Sequence, residues 1–81
     1  AALAHEGRLS IFRELVRAGP AGLAAGEISR RLGIAPNTLS ASLTVLSHAG
    51  LATSRREGRS IIYAAAYGRM SDLLGFLMSD C

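Results

Sequence analysis

The sequence contains a single cysteine, Cys81, which is its last residue. One thiol per chain excludes an internal disulfide framework, so we expect a protein of the reducing cytoplasm. The sequence also lacks any run of about 18 apolar residues, and we expect no membrane-spanning helix and no membrane partner. The hydrophobic fraction of 49% nevertheless argues against disorder, and the 81 residues predict one small domain over residues 1–81.

Residue patterns typical of enzymes are missing as well. The sequence has neither a glycine-rich phosphate-binding loop nor a pair of carboxylates suited to acid–base catalysis, and Cys81 lacks a base beside it. The two histidines, His5 and His48, are far apart in sequence and do not show metal-ligand spacing. These absences favour a binding protein without a resident cofactor over an enzyme.

Lysine is absent too, so all nine basic residues are arginines, and with six acidic residues the net charge is +3. Arginine presents forked, weakly hydrated donors that suit phosphates and guanine edges. The net charge alone says little. The clustering of Arg55, Arg56 and Arg59 in one short segment says more, because it indicates a phosphate-binding surface.

The spacing of apolar residues predicts a first helix over residues 1–18 and a last helix from about Gly68 to Asp80. Both helices carry apolar side chains on more than one face, which exceeds what one core contact requires. In so small a domain, this excess indicates that a helix of a partner chain covers the second face. Residues 21–26 are small and glycine-rich, and they predict a connector or a short turn.

The middle of the chain predicts a short helix, Glu27–Leu32, a tight turn, and a second helix that begins at Pro36 and is capped by Gly50. Gly33 ends the first helix and Pro36 begins the second, at positions where these residue types are favoured. Leucines repeat at helical spacing along one side of the second helix, at Leu39, Leu43 and Leu46. Two helices joined in this way, the second with a polar outer face, are typical of a helix-turn-helix, whose second helix enters the major groove of DNA.

The outward side of the second helix carries short neutral side chains. The residues that we expect to contact DNA there are Asn37, Thr38, Ser40, Ala41, Ser42 and Thr44. Asparagine can pair with adenine, serine and threonine hydroxyls can bond to bases or phosphates, and the alanine methyl can contact the methyl of thymine. The alternative interpretation is a solvated surface helix without a ligand.

Two short strands follow, over residues 51–54 and 60–65, and residues 55–59 between them predict a hairpin turn in which Gly58 supplies the unusual backbone angle. A helix-turn-helix followed by a hairpin with a basic tip predicts a winged helix-turn-helix, mainly α with a small β-hairpin. The expected contacts of the tip with phosphates or the minor groove come from Arg55, Arg56 and Arg59. Their alternative interpretation is a solvated turn.

Two further arginines, Arg30 and Arg31, lie on the short helix. DNA contact and plain surface charge explain them equally well.

Three segments together resemble the ArsR/SmtB family of bacterial winged-helix repressors. They are residues 2–15 (ALAHEGRLSIFREL), 26–51 (GEISRRLGIAPNTLSASLTVLSHAGL) and 54–65 (SRREGRSIIYAA). The resemblance implies a homodimer that packs through its first and last helices and binds a pseudo-palindromic operator in double-stranded DNA. It further implies that an effector releases the repressor from the operator.

The effector site is where the sequence departs from the best-known members of this family. The cysteine pair of the arsenic- and cadmium-sensing type is absent from the short helix, and the last helix has no histidine for the zinc-sensing type. A third arrangement places adjacent cysteines after the last helix, in a stretch that resembles Phe76–Cys81. That resemblance implies Cys81 as a thiolate ligand of trivalent arsenic (arsenite), provided that further cysteines follow. The alternatives are a redox or small-molecule effector, or a winged helix used for protein contact.

Overall fold

The computed structural model describes residues 5–66 and Gly68 of the 81-residue chain. The rest of the predicted last helix and Cys81 lie outside the described residues. The helices are α1 (Glu6–Ala18), α2 (Ala25–Leu32) and α3 (Pro36–His48), and a 3-10 turn (Gly19–Ala21) follows α1. The strands are β1 (Leu23–Ala24), β2 (Ala52–Glu57) and β3 (Ser60–Ala65).

α1 begins after His5, whose Nδ1 accepts a hydrogen bond from the Gly7 backbone N–H at 3.2 Å and caps the first turn. The helix ends at Gly19, whose φ of 73° lies in the left-handed region that favours glycine. Ile11 and Leu15, one turn apart, are fully buried. Residues 6–18 therefore agree with the predicted first helix, whereas His5, which the prediction included, lies before its first turn, and residues 1–4 lie outside the described residues.

α2 and α3 form the predicted pair of helices. α2 begins at Ala25, two residues earlier than predicted. The prediction had placed Gly26 in the connector, because glycine is a poor helix former. Gly33 adopts left-handed angles of φ 65° and ψ 32° and ends α2, as predicted. The Ser29 hydroxyl donates a hydrogen bond to the Ile34 carbonyl, and the Ile34 backbone N–H donates to the Ser29 carbonyl at 3.2 Å. Two hydrogen bonds between Ser29 and Ile34 thus hold the turn between the helices.

The three strands form one antiparallel sheet in the order β1-β3-β2. β1 corrects the sequence prediction, which assigned residues 21–26 to a connector. Its two residues, Leu23 and Ala24, pair with Tyr63 and Ile62 of β3. A two-residue strand has no alternating pattern that could reveal it, and its pairing is set by a strand that is distant in sequence. α1 therefore leads through the 3-10 turn directly into the sheet.

β2 and β3 form a hairpin, called the wing below, which closes through a two-residue turn of Gly58 and Arg59. The prediction of a longer turn over residues 55–59 is wrong, because Arg55 and Arg56 lie in β2 and pair with isoleucines of β3. Gly58 has a φ of 62°, which permits the tight turn that matches the twist of the strands. β2 extends further along the chain than predicted, so the wing projects beyond the core, and the residues of β2 after Ala52 are exposed.

One hydrophobic core joins the three helices to the base of the wing. Its buried members are Ile11, Leu15, Ile28, Leu39, Leu43, Leu46, Ala52 and Ala65. α3 supplies three of the six largest fully buried side chains, so its inner face is fixed against the rest of the domain. The fold is the predicted one, mainly α with a small antiparallel sheet. In the part of the chain described, no helix is long and apolar enough to span a membrane.

Candidate nucleic-acid interface

The outward face of α3 is polar and exposed, and it carries no arginine, aspartate or glutamate. Its exposed residues are Asn37, Thr38, Ser40, Ala41, Thr44, Val45 and His48. Of the predicted contacts on this helix, Ser42 alone is half-buried, because it lies toward the side that packs on the domain. Buried leucines hold the opposite side, so short side chains are presented from a fixed helix.

Hydrogen bonds within α3 determine which polar groups remain for a ligand. Thr44 Oγ1 donates to the Ser40 carbonyl at 3.0 Å, so the Thr44 hydroxyl retains only its capacity to accept. Asn37 Oδ1 accepts from the Thr38 backbone N–H at 2.9 Å, which leaves the Asn37 amide NH2 as a donor. The hydroxyls of Thr38 and Ser40 make no hydrogen bond to any described residue, so each can donate and accept.

Val45 adds an apolar group to this face that was not among the predicted contacts. It lies one turn after Ala41, and its side chain is 37% exposed. The helical spacing placed Val45 beside the outward face and apart from the leucines, but its apolar side chain gave no indication of a contact with DNA. Together, Ala41 and Val45 present methyl groups that suit the methyl group of thymine.

The wing carries two arginines without an internal partner. Arg56 and Arg59 are exposed, and their guanidinium groups form no hydrogen bond or ion pair within the described ranges. Side chains alternate along a strand, so Arg56 shares a face of β2 with the buried Ala52 and projects on the helical side of the sheet. Arg59 lies in the turn at the tip. Both guanidinium groups are therefore available to an anion.

Arg55 differs from its two neighbours because its guanidinium is occupied. Its Nε donates to Glu57 Oε2 at 2.6 Å, within the wing. Its Nη2 donates to the Ala21 carbonyl at 2.6 Å, and its Nη1 lies 3.4 Å from the Pro20 carbonyl. The predicted phosphate-binding cluster is thus divided into one arginine bound to the 3-10 turn and two that project into solvent.

Arg30 and Arg31 form an ion-pair network between α1 and α2. Both donate to the Glu27 carboxylate, Arg31 through Nε at 2.8 Å, and Arg31 Nη1 also lies 3.2 Å from Glu14 Oε2. The hydrogen bonds from Arg30 and Arg31 lower the pKa of Glu27 to about 2. Glu27 likewise raises the pKa of both arginines. These contacts favour a structural role for the pair over contact with DNA.

No group of three or more histidine, cysteine, aspartate or glutamate side chains within residues 5–66 could hold a metal ion. His5 caps α1, and His48 is exposed in the last turn of α3. Cys81, the predicted arsenic ligand, lies outside the described residues. In the described part of the chain, α3 and the wing therefore form one surface. It suits a polyanion whose edges carry hydrogen-bonding and methyl groups.

Comparison with known proteins agrees with this geometry. Residues 3–55 match the sequence profile of a protein family described as a helix-turn-helix domain. No curated protein sequence is significantly similar to the chain.

Solved structures share both fold and sequence with the chain. Mb0332 from Mycobacterium bovis, a homodimeric winged helix-turn-helix DNA-binding domain and possible ArsR-family transcriptional regulator, is 31% identical, with a TM-score of 0.77 over 96% of this chain and 69% of its own. The transcriptional repressor BigR from Xylella fastidiosa is 30% identical, with a TM-score of 0.74 over 96% of this chain and 76% of its own. An ArsR-like transcriptional regulator from Rhodococcus sp. RHA1 is 29% identical, with a TM-score of 0.80 over 96% and 69% of the two chains.

Proposed function

The chain belongs to the ArsR family of winged helix-turn-helix transcriptional regulators, and we propose that it represses transcription by binding operator DNA as a homodimer. Its role is regulatory and not enzymatic. One observation carries the proposal: α3 presents short uncharged side chains while buried leucines hold its other side. Such a helix fits the major groove, where base edges offer hydrogen-bonding groups and thymine methyls. In this proposal residues 1–81 are a single DNA-binding domain that acts in the cytoplasm.

α3 is the recognition helix in this proposal. Asn37, Thr38, Ser40 and Ala41 lie in its first half, the part of a recognition helix that contacts base edges. The Asn37 NH2 group can only donate and so selects an acceptor on a base edge, whereas the hydroxyls of Thr38 and Ser40 can take either role and adapt to the edge that they meet. Thr44 contributes an acceptor and Val45 a methyl group farther along. Ser42, which is half-buried, contacts DNA only at the margin.

The wing supplies the positive charge that α3 lacks. Arg56 and Arg59 bind phosphates or enter the minor groove beside the half-site, because their guanidinium groups have no partner among the described residues. Phosphate contacts fix the position of a protein on the duplex, and base contacts specify the sequence. The proposal therefore assigns affinity mainly to the wing and sequence preference mainly to α3.

Homodimer formation is supported by two observations. Mb0332 is homodimeric, and α1 keeps part of its apolar surface exposed: Val16 is 36% exposed, and Phe12, which packs against the core, is only half-buried. We propose that α1 and the predicted last helix pack across the dimer. Two recognition helices then lie about 34 Å apart, one turn of DNA, and bind a pseudo-palindromic operator.

Release from the operator requires an effector, and we propose as the first candidate trivalent arsenic bound through Cys81, provided that further cysteines follow Cys81 and complete the set of thiolate ligands. A redox signal or a small molecule is the alternative. Any of these acts by binding one dimer geometry better than the other, so that the recognition helices no longer match the half-site spacing.

DNA binding is tested by selecting duplexes from a random pool and measuring affinity against salt concentration. The wild type is expected to enrich a pseudo-palindrome whose half-sites are about 10–11 base pairs apart, and its affinity is expected to fall steeply with salt. The double variant Asn37→Ala/Thr38→Ala should lose the preference. Ser47→Ala, a half-buried hydroxyl in the last turn of α3 that is assigned no DNA contact, is the matched control and should keep it. Failure of the wild type to bind any duplex at low salt would refute the proposal.

The effector is tested on the complex with the selected operator, by adding arsenite, zinc or cadmium and measuring release. Arsenite is expected to release the wild type, whereas Cys81→Ser should stay bound. Release of both proteins, or of neither, contradicts the thiol site and leaves the DNA-binding proposal intact.

A further inference from the structure

We propose that Arg55 is a positioning residue, which fastens the wing to the 3-10 turn after α1 and does not itself bind phosphate. The inference rests on the proposed DNA binding and separates the three wing arginines into two kinds. Arg56 and Arg59 contact DNA, and Arg55 sets where they lie.

The contacts of Arg55 connect parts of the fold that are distant in sequence. Arg55 lies in the outer strand β2, and β3 separates β2 from β1. Its guanidinium nevertheless reaches the carbonyls of Pro20 and Ala21, the last two residues of the 3-10 turn, at 3.4 and 2.6 Å. Carbonyls at the end of a helical turn lack partners within the turn and carry partial negative charge. A guanidinium donates to both of them from separate nitrogens of one rigid plane, an arrangement that the single nitrogen of an ammonium group does not reproduce.

Glu57 completes the arrangement and makes Arg55 a poor phosphate ligand. The Glu57 carboxylate accepts from Arg55 Nε at 2.6 Å, which orients the guanidinium plane toward the 3-10 turn. It also cancels the charge of Arg55 locally. A phosphate that approached Arg55 would meet this carboxylate, and the two anions repel each other. Arg56, one position later on the opposite face of β2, has no such neighbour among the described residues.

The 3-10 turn is itself a fixed support. A Cβ built on Gly22 would lie 2.4 Å from the Tyr63 carbonyl oxygen and 2.9 Å from Ile62 Cγ2, so the segment after the turn is pressed against β3. The turn also follows α1 without a break. Arg55 therefore links the wing to the end of α1. Because the proposed dimer packs through α1, this link also helps to fix the position of one wing relative to the other.

The experiment compares Arg55→Ala, Arg55→Lys and Arg56→Ala for operator affinity over a range of salt concentrations. A lost phosphate contact reduces the slope of log K against log salt by about 0.9. Arg56→Ala is expected to show this reduction. Arg55→Ala is expected to lower affinity about tenfold, because the unfastened wing must be ordered on binding, and to leave the slope unchanged, because Arg56 and Arg59 still reach their phosphates in the complex. Arg55→Lys keeps the charge but loses the fork, so its affinity should fall like that of Arg55→Ala.

Amide hydrogen exchange without DNA provides a second measurement that does not depend on the proposed function. Exchange in β2 and β3 should accelerate on the order of tenfold in both Arg55 variants and stay at the wild-type rate in Arg56→Ala. Circular dichroism of each variant checks that the helices remain folded. Two outcomes overturn the inference: wild-type affinity for Arg55→Lys with a reduced slope for Arg55→Ala, or unchanged exchange in both Arg55 variants. If the wild type binds no duplex, the proposed function fails, and the exchange data still decide whether Arg55 fastens the wing.

Discussion

The backbone of Gly22 passes so close to Tyr63 that a Cβ at position 22 would lie 2.4 Å from the Tyr63 carbonyl oxygen. Gly22 also has φ 72° and ψ −171°, angles that are available almost only to glycine. The connection from α1 to the sheet therefore depends on the absence of a side chain at this position, and β1 can pair with β3 only because the chain arrives so near to it.

Gly22→Ala is accordingly expected to destabilise the fold by more than about 2 kcal/mol, since backbone strain of about 1–3 kcal/mol adds to the clash with β3. Urea denaturation followed by circular dichroism measures the loss. Gly26→Ala is the matched control, because Gly26 lies in α2 and its added Cβ meets no described atom within 4 Å. That variant should be neutral or more stable by up to about 1 kcal/mol. Equal losses at the two positions would contradict this account of Gly22.

Stability is expected to depend on pH through Glu27. Hydrogen bonds from Arg30 and Arg31 lower the pKa of its carboxyl group from 4.5 to about 2 in the folded protein. The unfolded chain therefore binds the proton more tightly. The carboxylate stabilises the fold above about pH 4.5, and this contribution is lost as the pH falls toward about 2.

Thermal unfolding of wild type and Glu27→Gln between about pH 6 and pH 2.5 measures the contribution of Glu27. The midpoint of the wild type is expected to fall more steeply on acidification than that of the variant. Arg30→Gln and Arg31→Gln should each show an intermediate dependence, since each removes one of the two main hydrogen bonds to the carboxylate. Parallel curves for wild type and Glu27→Gln would show that the ion pairs do not persist in solution.

Arg59→Ala is expected to weaken binding to operator and random duplexes by the same factor, about threefold to tenfold at moderate salt. A phosphate contact is independent of base sequence, so the ratio of the two affinities should not change. Fluorescence anisotropy with both duplexes measures this ratio. A loss confined to the operator would instead indicate that Arg59 contacts a base in the minor groove.

Ser40→Ala is expected to alter sequence preference at one base pair, with a cost of about 1–3 kcal/mol on the preferred operator if its hydroxyl contacts a base edge. Ser42→Ala is the matched control on the same helix, because Ser42 is half-buried and Ser40 is exposed. The measurement is the affinity of each variant for operators carrying single base-pair changes. An equal shift of preference in the two variants would argue against the assigned orientation of α3.

The parts of the fold that the sequence predicted are those with local, periodic causes. Leu39, Leu43 and Leu46 repeat at helical spacing, which located both the buried and the outward face of α3. Gly33 marked the end of α2 because a left-handed residue there is almost always glycine. In both cases the determining interactions lie within a few residues along the chain.

The features that the sequence could not predict depend on distant partners. β1 exists because its two residues pair with residues of β3 that lie 40 and 38 positions later in the chain. The clustering of Arg55 with Arg56 and Arg59 predicted three equivalent cations, whereas the partner carbonyl of Arg55 lies 34 residues earlier in the chain. The periodic spacing of residues in the sequence does not indicate such a contact, since it forms only when the sheet has assembled.

The uncharged face of α3 has a consequence for how the protein would locate its operator on a chromosome. Contacts to base edges release no counterions, so only the arginine contacts weaken as ionic strength rises. The residence time on random DNA, and with it the speed of sliding and hopping, would change with the salt content of the cell. The share of bound molecules that occupies the operator would stay nearly constant, because it is set by hydroxyl, amide and methyl groups that salt does not screen.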